Sequence, residues 1–217
     1  NPKHREILFL KETSELIAIW EGEKLSKEKA FETSGVRTVY WNNDFEEVFE
    51  NLIQEAKSVY LNSNEHTRSN TKVQTQSDRF NEWCKSKFLT KEYNMSAPIM
   101  HDLRSIKHPI EIDLLQHACN ITEKGFKRVL NFIKPGVMEY EIEAEFIHEF
   151  LVNRSKGFAY EPIIASGKNA CVLHYVDNNK VCRDGDIILM DVGAEYANYA
   201  SDMTRCVPAN GRFSKRQ

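Results

Sequence analysis

The sequence predicts an α/β domain followed by a second domain in which helices precede strands. The first prediction rests on short apolar strands that alternate with amphipathic helices over the first hundred residues. The second rests on two long helical stripes after Pro109 and a strand-rich stretch after Gly157. The pattern changes near residues 96–108, so we divide the chain into domains 1–100 and 101–217.

The first domain is predicted from runs of branched and aromatic residues with helical segments between them. These runs predict strands over residues 7–10, 16–20, 38–41 and 58–61. Helices are predicted over residues 27–34, from about 44 to 57, and over 78–87. Ser26 is placed to cap the first of these helices and Gly35 to end it. The polar stretch 62–76 predicts a surface loop.

The second domain begins with two predicted helices. Pro109 suits the first turn of a long helix whose apolar residues recur at steps of three and four. Pro135 and Gly136 stop that helix, and a second one is predicted over residues 140–154. Strands are predicted after it over residues 162–165, 171–175, 187–194 and 199–207.

Composition excludes several classes of function. The 29 basic and 32 acidic side chains give a net charge of −3, so we expect no nucleic-acid partner. No apolar run reaches the roughly 18 residues that span a bilayer, so we expect no membrane partner. Five cysteines at irregular spacing predict free thiols and a cytoplasmic location. The chain lacks an initiator Met and stops in polar sequence, so we expect it to be a piece of something longer.

The segment around Asp191 is the most informative part of the chain. Four apolar residues precede Asp191 and predict a strand buried on both faces, where an unpaired carboxylate is costly. A hairpin turning on either Tyr196-Ala197 or Ala197-Asn198 places Asp191 and Asp202 on the same face. The first register makes them directly opposite and the second makes them diagonal neighbours.

Both registers suit carboxylates that share metal ions. Two divalent cations can generate a hydroxide nucleophile and polarise a scissile carbonyl. On the spacing alone, a solvated hairpin or an Asp paired with Arg205 is the default interpretation, and the burial of the first strand is what favours metal binding.

The hairpin resembles the metal-binding hairpin of the pita-bread metallopeptidases, the family of methionine aminopeptidase, prolidase, creatinase and aminopeptidase P. In that family the aspartate of the first strand and the aspartate eleven residues later bind a dinuclear metal centre, and they match Asp191 and Asp202. The segment 163–175 is similar to the family's Ser-Gly-x-Asn segment followed by Leu-His-Tyr. His174 matches the active-site histidine, which contacts substrate.

Within the family the likeness is strongest to the aminopeptidase P, or Xaa-Pro aminopeptidase, group. It is carried by residues 19–25, by 102–107 followed by 111–112, and by 200–214. The resemblance implies a creatinase-like N-terminal α/β domain followed by the first half of an α+β pita-bread catalytic domain. It also implies a hydrolase that removes the N-terminal residue preceding proline from peptides. The resemblance further implies two divalent metal ions, with manganese as the expected metal. It also implies that the full-length protein forms a homo-oligomer.

The resemblance also indicates what the sequence lacks. The family's metal site uses a histidine and two glutamates from the second half of the catalytic domain, and no sequence after Gln217 supplies them. We therefore expect this chain alone to hold metal weakly and to be inactive. Two alternatives stay open, a prolidase that cleaves only Xaa-Pro dipeptides and a non-enzymatic pita-bread module that binds peptides.

Other candidate residues favour structural roles. Glu145 and His148 have the spacing of a helical metal half-site, but no second copy accompanies them. The glutamates around them are interpreted as a solvated acidic face, formed by Glu139, Glu141, Glu143, Glu145 and Glu149. Boundary or helix-surface positions are predicted for His101, His108 and His117.

Overall fold

The computed structural model describes residues 5–64 and 72–216. The chain forms two compact units, Asn1–Ser105 and Ile106–Gln217. Part of the predicted loop over 62–76, residues 65–71, lies outside the described residues. Among the residues described, no helix is both long and apolar enough to cross a membrane. All five cysteines are free thiols, as predicted.

The first unit alternates short strands with helices. Its elements are β1 (Ile7–Leu10), α1 (Glu15–Glu21), α2 (Lys27–Ser34), β2 (Thr38–Trp41), α3 (Phe45–Glu55), β3 (Ser58–Leu61), α4 (Gln76–Lys87), β4 (Glu92–Met95) and α5 (Ala97–Ser105). Strand β1 pairs in parallel with β2, and β3 pairs in parallel with β4. Such parallel pairs require crossover connections, which the helices provide. A core of Ile53, Leu61 and Cys84 lies between α3, β3 and α4.

The helix caps follow the predicted chemistry. The Ser26 hydroxyl accepts a hydrogen bond from the Lys29 amide, and Gly35 ends α2 in the left-handed conformation with φ of 75°. Helix α4 begins two residues before its predicted start because Thr75 and Asp78 form a reciprocal capping box.

The predicted strand over residues 16–20 is wrong, because these residues form helix α1. The Ser14 hydroxyl accepts a hydrogen bond from the Ile17 amide and so caps the helix. The branched and aromatic residues that suggested a strand are exposed, with Leu16 at 66%, Ile19 at 78% and Trp20 at 83%. They do not alternate between a buried and an open face, so the period of a strand is absent.

The second unit packs two long helices against antiparallel sheets. Its elements are α6 (Pro109–Phe132), α7 (Glu139–Val152), β5 (Gly157–Phe158), β6 (Ile163–Ser166), β7 (Ile187–Val192), β8 (Ala194–Tyr196), β9 (Tyr199–Ala200) and β10 (Met203–Pro208). One sheet has the order β10-β7-β6 and the other β5-β8-β9. Phe126, Phe146 and Phe150 of the helices meet Ile188 and Met190 of β7 in the core.

Strand β7 is fully buried on one face only, which corrects the prediction of burial on both. Ile188, Met190 and Val192 point into the core under the helices. Asp191 and its neighbours on the other face are half-buried, because that face opens towards a cavity. The carboxylate therefore remains accessible to a ligand.

The predicted strand over residues 171–175 is also wrong. Residues Gly167–Cys171 form a short 3-10 helix, and the chain continues without strand pairing. His174 has φ of 56° and Asn178 has φ of 44°, values that a strand does not allow. This irregular path buries the Tyr175 side chain while leaving His174 exposed.

Candidate functional site

The hairpin adopts the second of the two predicted registers. Tyr196 pairs with Tyr199, so the turn lies on Ala197-Asn198. Both turn residues have positive φ, 51° and 67°, as a two-residue hairpin turn of type I′ requires. Met203 of β10 pairs with Val192 of β7, which makes Asp191 and Asp202 diagonal neighbours.

A tight backbone contact holds Asp202 beside strand β7. A Cβ atom at Gly193 would lie only 1.8 Å from the Ser201 carbonyl oxygen, so glycine permits this approach of the two chains. The buried hydroxyls of Ser201 and Thr122 are 2.6 Å apart, and both accept from the Ala194 amide at 2.9 Å. Helix α6 thus fixes the residue that precedes Asp202.

Tyr160 joins the two aspartates. Its hydroxyl donates to Asp191 Oδ1 at 2.7 Å and lies 3.2 Å from Asp202 Oδ1. Burial, the hydrogen bond to Asp191 and the charges of both carboxylates raise the pKa of Tyr160 well above its ordinary value. Tyr160 therefore remains a protonated donor at neutral pH.

Sequence reasoning missed Tyr160. It lies 31 residues before Asp191, so no local spacing connects the two. Its placement comes from strand pairing, since Phe158 pairs with Ala194 and the Ala159 amide donates to the Gly193 carbonyl.

His174 shares a cavity with the two aspartates. This cavity has a volume of about 470 Å³ and is lined by Tyr160, Glu161, Ile163, His174, Val176, Asp191 and Asp202. The structure therefore brings together the three residues that the sequence singled out. Among the described lining residues, His174 alone has a nitrogen-bearing side chain, and three others carry carboxylates.

The cavity suits a hard cation on its two aspartates. Among the ion pairs of the described residues, none involves Asp191 or Asp202, and Arg205 instead donates to the Thr204 carbonyl. Two neighbouring carboxylates without a protein cation repel each other, and oxygen donors are the ligands that Mn²⁺ and Mg²⁺ prefer. No group of three or more His, Cys, Asp or Glu within the described part of the chain could hold a metal ion. The described lining thus offers two neighbouring aspartates that could share a cation.

Glu139 is fully buried, which corrects its interpretation as part of a solvated acidic face. Its Oε1 accepts from the Ser166 amide and hydroxyl, both at 2.7 Å, and from Asn169 at 3.3 Å. Its Oε2 accepts from the Tyr175 hydroxyl at 2.7 Å and the Lys180 amide at 2.9 Å. Burial alone would raise the pKa of Glu139, but these hydrogen bonds outweigh it and hold the pKa below its ordinary value.

The other candidates lie elsewhere on the second unit. Glu145 accepts from Arg128 in a half-buried ion pair, and His148 is exposed one turn further along α7. His117 packs against Tyr196 with 4.2 Å between ring centroids and the two rings tilted by 52°. None of these side chains lines the cavity that holds Asp191 and Asp202.

Two family models match the chain. The model of metallopeptidase family M24 matches residues 113–217, and that of the aminopeptidase P N-terminal domain matches residues 1–60. The two matches fall on the second and the first unit respectively.

Relatives match along nearly the whole chain. A Haemophilus influenzae protein named Xaa-Pro aminopeptidase is 34% identical over 98% of this chain and 47% of its own length. The Escherichia coli protein of the same name is 32% identical over 99% of this chain and 49% of its own length. The chain spans about half the length of the curated relatives it matches.

Solved structures agree with these matches. Pseudomonas aeruginosa aminopeptidase PepP has a TM-score of 0.83 and 30% identity, and the match covers 96% of this chain and 48% of that one. A low-pH form of aminopeptidase P from E. coli has a TM-score of 0.81 and 31% identity, with coverage of 96% and 48%. The fold is therefore an aminopeptidase P N-terminal domain followed by part of a pita-bread domain, as predicted. The chain belongs to the aminopeptidase P group of metallopeptidase family M24.

Proposed function

We propose that the full-length gene product containing this chain is a metal-dependent Xaa-Pro aminopeptidase. It would hydrolyse the amide bond between the N-terminal residue of a peptide and a following proline, releasing a free amino acid and a peptide that begins with proline. One observation carries the proposal: Asp191 and Asp202 share the Tyr160 hydroxyl in a cavity that His174 also lines. The names of the relatives supply the substrate class.

Asp191 and Asp202 are proposed as ligands of two divalent metal ions, with Mn²⁺ as the metal. Divalent ions in such a centre supply electrophilic activation of the scissile carbonyl and of the attacking water. The oxygen donors of the two aspartates support this choice of metal. Because two carboxylates cannot complete a dinuclear site, we expect purified residues 1–217 to show no peptidase turnover even with saturating Mn²⁺.

Two further side chains act on the substrate and the ligands. His174 is proposed as the catalytic residue that contacts the substrate amide and stabilises the charge that develops on its carbonyl oxygen. Tyr160 donates a hydrogen bond to Asp191 and limits how that carboxylate can turn. Both side chains line the cavity, which places them next to the two aspartates.

The partners and location follow from the same proposal. The proposed substrates are peptides with proline at the second position. We propose no nucleic-acid or membrane partner for the protein. The full-length protein is proposed to form homo-oligomers. The cytoplasm is proposed as the compartment, since five free cysteines suit a reducing environment. Cell fractionation and size-exclusion chromatography with light scattering test these two points.

A comparison of substrates tests the proposed reaction. The full-length gene product with Mn²⁺ is assayed on a tripeptide with proline second and on the matching Xaa-Pro dipeptide. Release of the first residue from the tripeptide supports an aminopeptidase. Turnover of the dipeptide alone would indicate a prolidase. Binding of the tripeptide without turnover would indicate a non-enzymatic module, and either result would overturn the proposal.

A further inference from the structure

Glu139 lies at the start of α7 and reaches into the segment that carries His174. It receives five hydrogen bonds through its carboxylate, from Ser166, Asn169, Tyr175 and Lys180. Its own amide also donates to the Lys180 carbonyl at 2.9 Å. One buried side chain thus joins both ends and the middle of the segment 166–180.

The contact with Tyr175 adjoins two residues that line the cavity, His174 and Val176. Tyr175 is buried, and its hydroxyl donates to Glu139 Oε2 at 2.7 Å. The preceding residue, His174, has positive φ and an exposed side chain. A non-glycine residue keeps such a backbone conformation only when its surroundings determine it. The buried Tyr175 ring, held at its hydroxyl by Glu139, supplies that constraint.

Contacts that do not involve Glu139 hold the segment near Asn178. The Asn178 side chain accepts from the Ile164 amide at 2.9 Å and donates to the Pro162 carbonyl at 3.0 Å, which ties it to the residues around β6. It also donates to Glu143 of α7 at 2.9 Å. Nearer His174, the bonds from Asn169 and Tyr175 both end on Glu139.

We propose that Glu139 is a positioning residue that fixes His174 for catalysis by clamping the segment 166–180. The inference rests on the proposed function for its catalytic part, while the clamp itself can be measured without any turnover. Glu139 does not line the cavity, so it acts through the segment and not by touching substrate.

A carboxylate suits this role better than any neutral side chain. Three donor atoms point at Oε1 and two at Oε2, so both oxygens must accept. In Glu139→Gln the amide nitrogen would face the backbone N–H of Ser166 in one orientation and that of Lys180 in the other, although the shape of the side chain is unchanged. The variant therefore weakens the clamp with little change in volume.

Amide hydrogen exchange of the full-length gene product tests the clamp directly. We expect faster exchange at residues 166–180 in Glu139→Gln, and a changed chemical shift of the His174 ring protons. Glu145→Gln is the matched control, because it makes the same change on the same helix but pairs with Arg128. Unchanged exchange in Glu139→Gln would overturn the proposal whether or not the protein hydrolyses peptides.

A double-mutant cycle tests the link to catalysis. We expect Glu139→Gln to lower kcat/KM for the tripeptide by about 10²-fold, the scale of a misplaced catalytic group, without changing the affinity for Mn²⁺. In a His174→Gln background we expect Glu139→Gln to lower kcat/KM by less than about 3-fold, because the effects of substitutions at coupled residues do not add. Equal losses in both backgrounds would contradict a role through His174. If Glu139→Gln does not fold, Tyr175→Phe removes one of the five donors and takes its place in the cycle.

Discussion

The Tyr160 hydroxyl donates to Asp191 at 2.7 Å and lies 3.2 Å from Asp202. A hydroxyl has one proton, so it serves the nearer carboxylate and leaves the second one weakly satisfied. The arrangement keeps two carboxylates close together in a cavity while leaving one of them exposed. This geometry suits carboxylates that bind a cation.

Tyr160→Phe removes that shared donor with little change in shape. We expect the affinity for Mn²⁺, or the turnover of the tripeptide, to fall about 10- to 100-fold, the range found when a hydrogen-bond partner of a metal ligand is lost. Isothermal titration calorimetry and steady-state kinetics on the full-length gene product measure the two quantities. Tyr140→Phe is the control, since Tyr140 is exposed on α7. No change in either quantity relative to the control would show that Tyr160 is not needed there.

Thr122→Val tests the buried hydroxyl pair that fixes Ser201. The variant keeps the branched shape but removes the partner of the Ser201 hydroxyl and one acceptor of the Ala194 amide. We expect the free energy of unfolding to fall by about 1 to 2 kcal/mol, because the Ala194 amide keeps its second acceptor. Denaturant titration measures the loss, and the exposed Thr204→Val serves as control. Equal stability of the two variants would argue against this contact.

Ala197→Gly tests the strain in the hairpin turn. Ala197 has φ of 51°, a conformation that costs an L-residue roughly 1 to 2 kcal/mol and glycine very little. Part of the gain is offset by the larger entropy of glycine in the unfolded chain, so we expect stabilisation of about 0.5 to 1 kcal/mol. Ala200→Gly, in extended β9, should destabilise instead. Thermal melts that show the same sign for both changes would refute the turn geometry.

The ends of helix α2 and the common face of the two aspartates could be predicted from local sequence. Ser26 and Gly35 marked the ends of α2, and the parity of the hairpin placed Asp191 and Asp202 on one face in either register. The turn itself could not be decided, because Ala197 carries no glycine signal for positive φ. The strand predicted over 16–20 is wrong because Ser14 caps a helix there, in which Leu16, Ile19 and Trp20 are exposed. Packing in the folded chain, not side-chain type, decides such cases.

The contacts that complete the site were beyond sequence reasoning. Tyr160 and Glu139 act on partners at least 27 residues away, and only strand pairing and helix packing bring these together. Glu139 also sits among four glutamates of similar spacing on α7, so nothing in the pattern distinguishes it. Glu139 differs from these glutamates because its side chain is fully buried, and that burial depends on the path of the segment 166–180.

The stability of the protein should depend on pH through Glu139. Its pKa is lower in the folded chain, so its contribution is present above the unfolded value of about 4.3 and is lost as the pH falls through the folded pKa. We expect Glu139→Gln to cost about 2 to 3 kcal/mol near neutral pH, since buried donors lose a charged acceptor. The difference in the free energy of unfolding between wild type and variant should become smaller below about pH 4.

Tyr175 and Cys182, which lie near Glu139, do not add to this pH dependence. Burial raises the pKa of Tyr175 to about 12 and that of Cys182 to about 11, so both stay protonated through the acidic range. Asp186 and Glu141 also lie near Cys182, and they are present in wild type and variant alike. Denaturant titrations from pH 3 to 8 measure this difference, with Glu145→Gln as reference. A difference that stays constant with pH would contradict an ionised Glu139.

The most direct measurement of the central claim is Mn²⁺-dependent hydrolysis of a tripeptide with proline second, by the full-length gene product and its Asp202→Asn variant. Mn²⁺ binding is followed in parallel by calorimetry, and Asp184→Asn is the control because its carboxylate accepts from Asn210 outside the cavity. We expect Asp202→Asn to lose both turnover and tight Mn²⁺ binding, and Asp184→Asn to keep them. Wild-type turnover and Mn²⁺ affinity in Asp202→Asn would contradict the claim.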